Sequence, residues 1–146
     1  MPKDWKIVVL IDEDRADCLS LKEQMETAAA DAGLITKSAA NGGAFTVLNR
    51  IVVEELEAWF FGDVVALQSA YPRVPKLLDK SRKFRNPDAI SNAWESLEGV
   101  FQKVGYCRGG LPKIEVARKI SQYMDPNRNT SKSFQVFRDA LQGLMT

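Results

Sequence analysis

Lys6-Ile7-Val8-Val9-Leu10-Ile11-Asp12-Glu13-Asp14 is the stretch that decides how this chain is read. The unbroken β-branched and leucine run from Ile7 to Ile11 predicts a strand buried on both faces, as in a parallel sheet covered by helices. It delivers an acidic pair, Asp12 and Asp14, to the strand's carboxyl end. There, residues i and i+2 project toward the crevice in which α/β sheets place their ligands. Two carboxylates so close repel unless a cation or a proton lies between them, and a divalent metal is the usual solution. The structural alternative is that one aspartate caps the next helix while the other is solvated.

Outward from this strand, Asp14 or Asp17 can cap a helix carrying Leu19, Leu21, Met25 and Ala28 to Ala30 and ending near Gly33. Leu34 to Ser38 reads as a second strand, Asn41-Gly42-Gly43 as a turn, and Val47 to Val53 as a third strand. Glu54 then starts a helix with Leu56, Trp59 and Phe60 on one face. Beyond Gly62 the pattern becomes helical. Helices are expected over Asp63–Tyr71, Ala89–Val104, Pro112–Met124 and Thr130–Leu144, with a Gly-rich loop at 105–110. Strand-helix alternation followed by helices predicts an α/β fold, a small parallel sheet flanked by helices with a helical C-terminal half. A single domain over 1–146 is expected, its α/β half spanning 1–61 and its helical half 62–146.

Composition narrows the chemistry. The chain has 45% hydrophobic and 27% charged residues, a formal charge of +1 and no histidine. Without histidine, Ser-His-Asp and Cys-His catalysis are excluded, and the commonest zinc ligands are missing. Cys18 and Cys107 are far apart and in no CxxC arrangement, so each is read as an incidental thiol. Any catalytic metal must then be held by carboxylates, which favour Mg²⁺, Mn²⁺ or Ca²⁺. The N-terminal apolar run is too short for a signal core or a membrane span, so a cytoplasmic protein without membrane association is expected.

A second acidic cluster, Glu54-Glu55-Leu56-Glu57, follows the strand ending at Val53. Two-metal phosphodiester chemistry needs several carboxylates around metals about 3.5–4 Å apart, more than one DxD provides. The competing reading is an acidic first helical turn favoured by the dipole. Basic residues form two groups. Lys76, Lys80, Arg82, Lys83 and Arg85 surround Phe84, while Arg108, Lys113, Arg118 and Lys119 lie in or after the Gly-rich loop. Lys113 sits in a first helical turn, where a cation opposes the dipole, a placement that phosphate contact would justify. The other reading of both groups is a solvated face. Trp59, Trp94, Phe60 and Phe61 are read as core.

The string Ile7 to Cys18, with its DxDRxDC form, resembles the strand-DxD motif of Toprim domains found in primases, type II topoisomerases and overcoming-lysogenisation-defect nucleases. More narrowly it resembles the bacterial family called domain of unknown function 4276. Glu55-Leu56-Glu57-Ala58-Trp59 resembles that family's ELEAW signature, and Ser131 to Phe137 its usual C-terminus, so the resemblance spans the chain. It implies Mg²⁺ or Mn²⁺ held by Asp12 and Asp14 with Glu55 and Glu57, and a late lysine, Lys113, as a catalytic candidate. It also implies an ABC-type ATPase partner in phage defence, while the clustering of the basic groups themselves makes Lys80, Arg82, Lys83, Arg85 and Arg108 candidates for nucleic-acid contact. Toprim domains open with a further strand and a glutamate ahead of the DxD strand, for which residues 1–5 leave no room. The element would come from a longer chain or another subunit, a homodimer included, or the protein is not an active enzyme.

Three functions are consistent with these residues. One is a Mg²⁺-dependent nuclease or phosphoryl-transfer subunit. The second is a non-catalytic regulatory or binding subunit, which the near-neutral charge favours. The third is a phosphoacceptor receiver, disfavoured because the later strand ends in Val53-Glu54-Glu55 with no Lys-Pro pair after it.

Overall fold

The computed structural model describes residues 4–145. The chain divides into two compact units between Val52 and Val53, and it is α/β with its later half helical.

In the first unit, β1 (Ile7–Asp12) pairs in parallel with β2 (Val47–Val52), with Ile7 opposite Val47 and Asp12 opposite Val52. Helix α1 (Cys18–Asp31) connects them and packs on β2. Asp17 is its cap, accepting from the Ser20 N–H at 2.7 Å, and Gly33 at φ +68° follows its end. A left-handed residue just past a helix is the usual stop signal, and glycine adopts it without Cβ strain. The stretch Leu34–Ser38, expected to be a strand, makes one isolated parallel bridge, Thr36 to Val47. It leaves the sheet because Thr36 turns its hydroxyl to the Glu26 carboxylate and to the Ala39 N–H at 3.1 Å. Side-chain bonding of this kind competes with ladder pairing. Glu26 also accepts from Asn49 Nδ2 at 3.0 Å, tying α1 to β2. Asn41 and Gly42, both at positive φ, form the expected turn, closed by Gly43 N–H to Ala40 O at 2.8 Å.

β1 is not buried on both faces as its apolar run predicts: Val8 and Ile11 are 39% and 37% exposed. Among the described residues the sheet has two strands and one covering helix, too little to enclose an edge strand. Ile7, Val9 and Ile11 instead line an apolar groove of about 360 Å³ with Leu21, Met25 and Leu34.

The second unit consists of α2 (Ala58–Phe61), α3 (Val64–Ala70), α4 (Ala93–Lys103), α5 (Lys113–Ser121) and α6 (Lys132–Met145), with short 3₁₀ turns at 78–80 and 87–89. Phe61, Leu67, Leu97, Phe101, Val116 and Ile120 are fully buried at its centre. The expected helices are present but shorter, since their proposed ends are caps and turns. Asp63 caps α3 through the Ala66 N–H at 3.1 Å. Glu54, at φ +62°, precludes a helix start there, and α2 begins four residues later.

Polar bonds fasten the segment around α2 to the entry of α6. Asp63, 1% exposed, accepts from Arg128 Nε at 2.7 Å, a second Arg128 nitrogen at 2.9 Å, and the Asp125 N–H at 2.9 Å. Asn129, equally buried, donates to Trp59 O and accepts from the Ser131 N–H, both at 2.9 Å. Asp88 accepts from Ser131 Oγ at 2.7 Å and the Lys132 N–H at 2.6 Å, satisfying the start of α6. Trp59 donates to Ser133 Oγ at 2.7 Å, meets Phe134 edge to face at a ring distance of 5.1 Å and stacks with Phe137 at 5.3 Å. The two later segments of the resemblance, Glu55–Trp59 and Ser131–Phe137, therefore bear on each other's packing.

Candidate functional site

In the first unit the acidic segment leaves the sheet through a strained turn. Asp12 is the last residue of β1, and the Glu13 N–H extends the ladder to Val52 O at 2.9 Å. The Ala16 N–H returns to Glu13 O at 2.8 Å, closing a turn whose central residues, Asp14 and Arg15, have φ of +43° and +64°. Positive φ at both centres marks a primed turn, normally built from Asn and Gly. Left-handed backbone at a non-glycine residue costs about 1–2 kcal/mol, so Asp14-Arg15 is an expensive choice. Asp14 lies beyond the strand, and the i, i+2 alternation expected to align it with Asp12 does not extend to it. Both aspartates are exposed.

Strand register puts Asp12 on the same sheet face as Leu10, Arg50, Leu48 and Val52. Leu48 and Val52 are fully buried, and burial lowers the Arg50 guanidinium from its ordinary value. Arg50 donates to Asn49 O at 2.7 Å, while its Nε is buried without a partner among the described residues.

In the second unit Glu55, Glu57 and Lys113 come together around Trp94. Glu55 accepts from the Trp94 N–H at 2.8 Å, covering an open donor in the first turn of α4. Glu57 meets Lys113 Nζ at 3.6 Å, and the same ammonium lies 4.5 Å from the centre of the Trp94 ring. The cation that opposes the α5 dipole is thus offset by a carboxylate and an aromatic face. Trp94, read as core, is half-buried and is the hub of this cluster. Only tertiary packing reveals it, since Trp94 is 37 residues from Glu57 in the chain.

Among the described residues, no group of three or more Cys, Asp or Glu side chains is arranged to hold a metal ion. Glu55 and Glu57 are engaged by a helix N–H and an ammonium. Of the basic residues expected to meet nucleic acid, Lys80 pairs with Asp79 at 3.3 Å and Lys83 lies 5.1 Å over the Phe84 ring. Arg82, Arg85 and Arg108 are exposed. Arg73, not singled out by its sequence context, sits with its guanidinium carbon 4.0 Å over the Tyr106 ring.

The molecule thus combines a parallel α/β unit that ends in an acidic turn with a helical unit carrying a carboxylate-lysine cluster. The family model described as a domain of unknown function (DUF4276) matches residues 1–143, and the chain belongs to that family. Comparison with curated proteins and with solved structures gives no match. No helix among the described residues is long and apolar enough to cross a membrane.

Proposed function

We propose that this protein is a Mg²⁺-dependent phosphoryl-transfer or phosphodiester-cleaving subunit of Toprim type, acting from the carboxyl end of β1. The observation that carries the reading is the Asp14-Arg15 turn. Strained non-glycine backbone persists where the surroundings over-determine it and concentrates at functional sites, and this turn sits where parallel sheets bind ligands. A three- or four-carboxylate cage does not fit the described residues. The reading takes a two-carboxylate site, because Mg²⁺ commonly takes one or two carboxylates and completes its shell with waters and substrate phosphate.

Asp12 and Asp14 would supply those oxygens. Bound Mg²⁺ would activate water and offset phosphate charge. Arg50, half-buried on the Asp12 face, carries a guanidinium of the kind that binds phosphate oxygens. Glu55, Glu57 and Lys113, in the second unit, form a separate cluster in which Lys113 is the member suited to an anion. The test is incubation with single- and double-stranded DNA and RNA in Mg²⁺ and Mn²⁺. Wild type should cleave or transfer, and Asp12→Asn and Asp14→Asn should not. Equal turnover by wild type and both aspartate variants would refute the reading.

A second reading is favoured by the engagement of Glu55 and Glu57: a non-catalytic subunit that regulates an ABC-type ATPase in phage defence. Under that reading Asp12→Asn leaves defence in cells intact, whereas substitutions on the surface of the helical unit abolish it.

A further inference from the structure

We propose that the surface around Arg73, Tyr106 and Lys119 binds single-stranded nucleic acid. This deepens the reading above by naming the polymer and the face that takes it, and it rests on that reading only for what is then done to the strand.

Charge concentrates in this part of the chain. Residues 73–119 hold eleven Lys and Arg against five Asp and Glu, in a protein of net charge +1. A local cationic stretch of this kind is the electrostatic footprint of a polyanion site. Its geometry is more specific than its charge. Gly105 at φ +80° and Cys107 at φ +51° bend the chain around Tyr106. The Tyr106 ring stands edge-on to Tyr71 and Phe101, at 5.1 and 6.0 Å. Arg73 lies over that ring, with its N–H on Tyr106 Oη and a guanidinium nitrogen on Gly105 O, both at 3.3 Å. A Cβ on Gly105 would come within 3.0 Å of that guanidinium, so glycine there keeps the approach open.

Arg73 is therefore pinned on its inner side yet exposed. A guanidinium supported by an aromatic ring has its other face available for a base, and stacking of this kind is indifferent to base identity. Lys119 holds its ammonium 4.5 Å over the neighbouring Tyr71 ring, and Arg108 is exposed in the same turn. These two cations are suited to phosphate contacts beside a stacked base. Glu115, close enough to influence Tyr71, and Glu98, whose Oε1 lies 3.9 Å from where a Gly110 Cβ would sit, are carboxylates beside the group, set against Arg73, Arg108 and Lys119. The 80–85 segment fits less well: Lys80 is paired with Asp79, and the Phe84 ring under Lys83 is already stacked on Phe61 at 4.9 Å.

The experiment is fluorescence anisotropy of a labelled 20-nucleotide RNA or DNA strand with the full chain in EDTA, so that binding is read without turnover. Saturable binding by wild type is expected. Arg73→Lys, which keeps the charge but not the planar group, should weaken it about fivefold or more. Lys119→Gln should reduce the slope of log affinity against log salt by about 0.7, one phosphate contact. Lys22→Gln, on α1 of the first unit, should leave affinity within about twofold. Thermal melting confirms that each variant is folded; if Arg73→Lys is not, the Lys119→Gln slope decides. Absence of wild-type binding, an unchanged Arg73→Lys, an unchanged slope, or binding to phosphatidylserine vesicles but not to oligonucleotides would overturn the proposal. Binding intact with cleavage absent would overturn the catalytic reading alone.

Discussion

Gly62→Ala sets two physical effects against each other with opposite signs. Gly62 has φ −68° and ψ −19°, ordinary helical backbone, where glycine to alanine normally stabilises by about 0.4–1 kcal/mol through the unfolded chain. An added Cβ, however, would lie 2.0 Å from Asn129 Oδ1, 2.8 Å from its Cγ and 3.0 Å from the Ser131 N. Overpacking of this kind costs about 1–3 kcal/mol. Moving Asn129 aside also strands the Ser131 N–H, at about 1–3 kcal/mol for a buried group left unpaired, while Trp59 O keeps the Gly62 N–H at 3.1 Å. With the propensity gain subtracted, the variant should lose about 1–5 kcal/mol, a large part of a typical total stability. Urea denaturation followed by circular dichroism measures this, and the melting temperature should fall by roughly 2–20 °C. Asn129→Ala removes the two nearest obstructing atoms and leaves the Ser131 N at 3.0 Å, so Gly62→Ala in that background should cost much less. Wild-type stability for Gly62→Ala, or strict additivity in the double variant, would refute the argument.

Asp63→Asn removes the charge that receives Arg128 in a site 1% exposed; unfolding should show a loss of about 3 kcal/mol, at the lower end for a broken buried pair because Arg128 reaches solvent. Arg15→Gly relieves left-handed strain, so the protein should gain roughly 0.5–1 kcal/mol in the same assay while Mg²⁺-dependent activity falls. Hydrogen bonding by Arg73 holds the Tyr106 phenol below the ordinary tyrosine range, and burial pushes Tyr71 above it. Phenolate absorbance on alkaline titration should show Tyr106 ionising before Tyr71, with Arg73→Gln moving the early step upward. The lowered Tyr106 phenol contributes stability above the ordinary tyrosine range that is lost as pH falls through its folded value.

Much of the fold was legible because it is written in short-range chemistry. The apolar run at Ile7–Ile11, the Asp17 cap, the Gly33 stop and the Asn41-Gly42 turn each depend on a few neighbouring residues. The acidic strand end could be located in the same way, but not its strained turn, since nothing in Asp14-Arg15 signals left-handed backbone. The Leu34–Ser38 strand was misread for a related reason. Its side chains suit a sheet, but the Thr36 hydroxyl is claimed by Glu26 from a preceding helix.

By itself, the sequence determined most of the element order, the absence of histidine chemistry and the motifs near the start, middle and end of the chain. Tertiary structure alone decided the long-range pairings: Glu55 secures α4, Glu57 meets Lys113 across 56 residues of chain, and Asp63 is neutralised by Arg128. Helix and turn preferences act over three or four residues and leave a periodic trace. Pairing between groups tens of residues apart leaves none, because its energy appears only once the chain has folded them together.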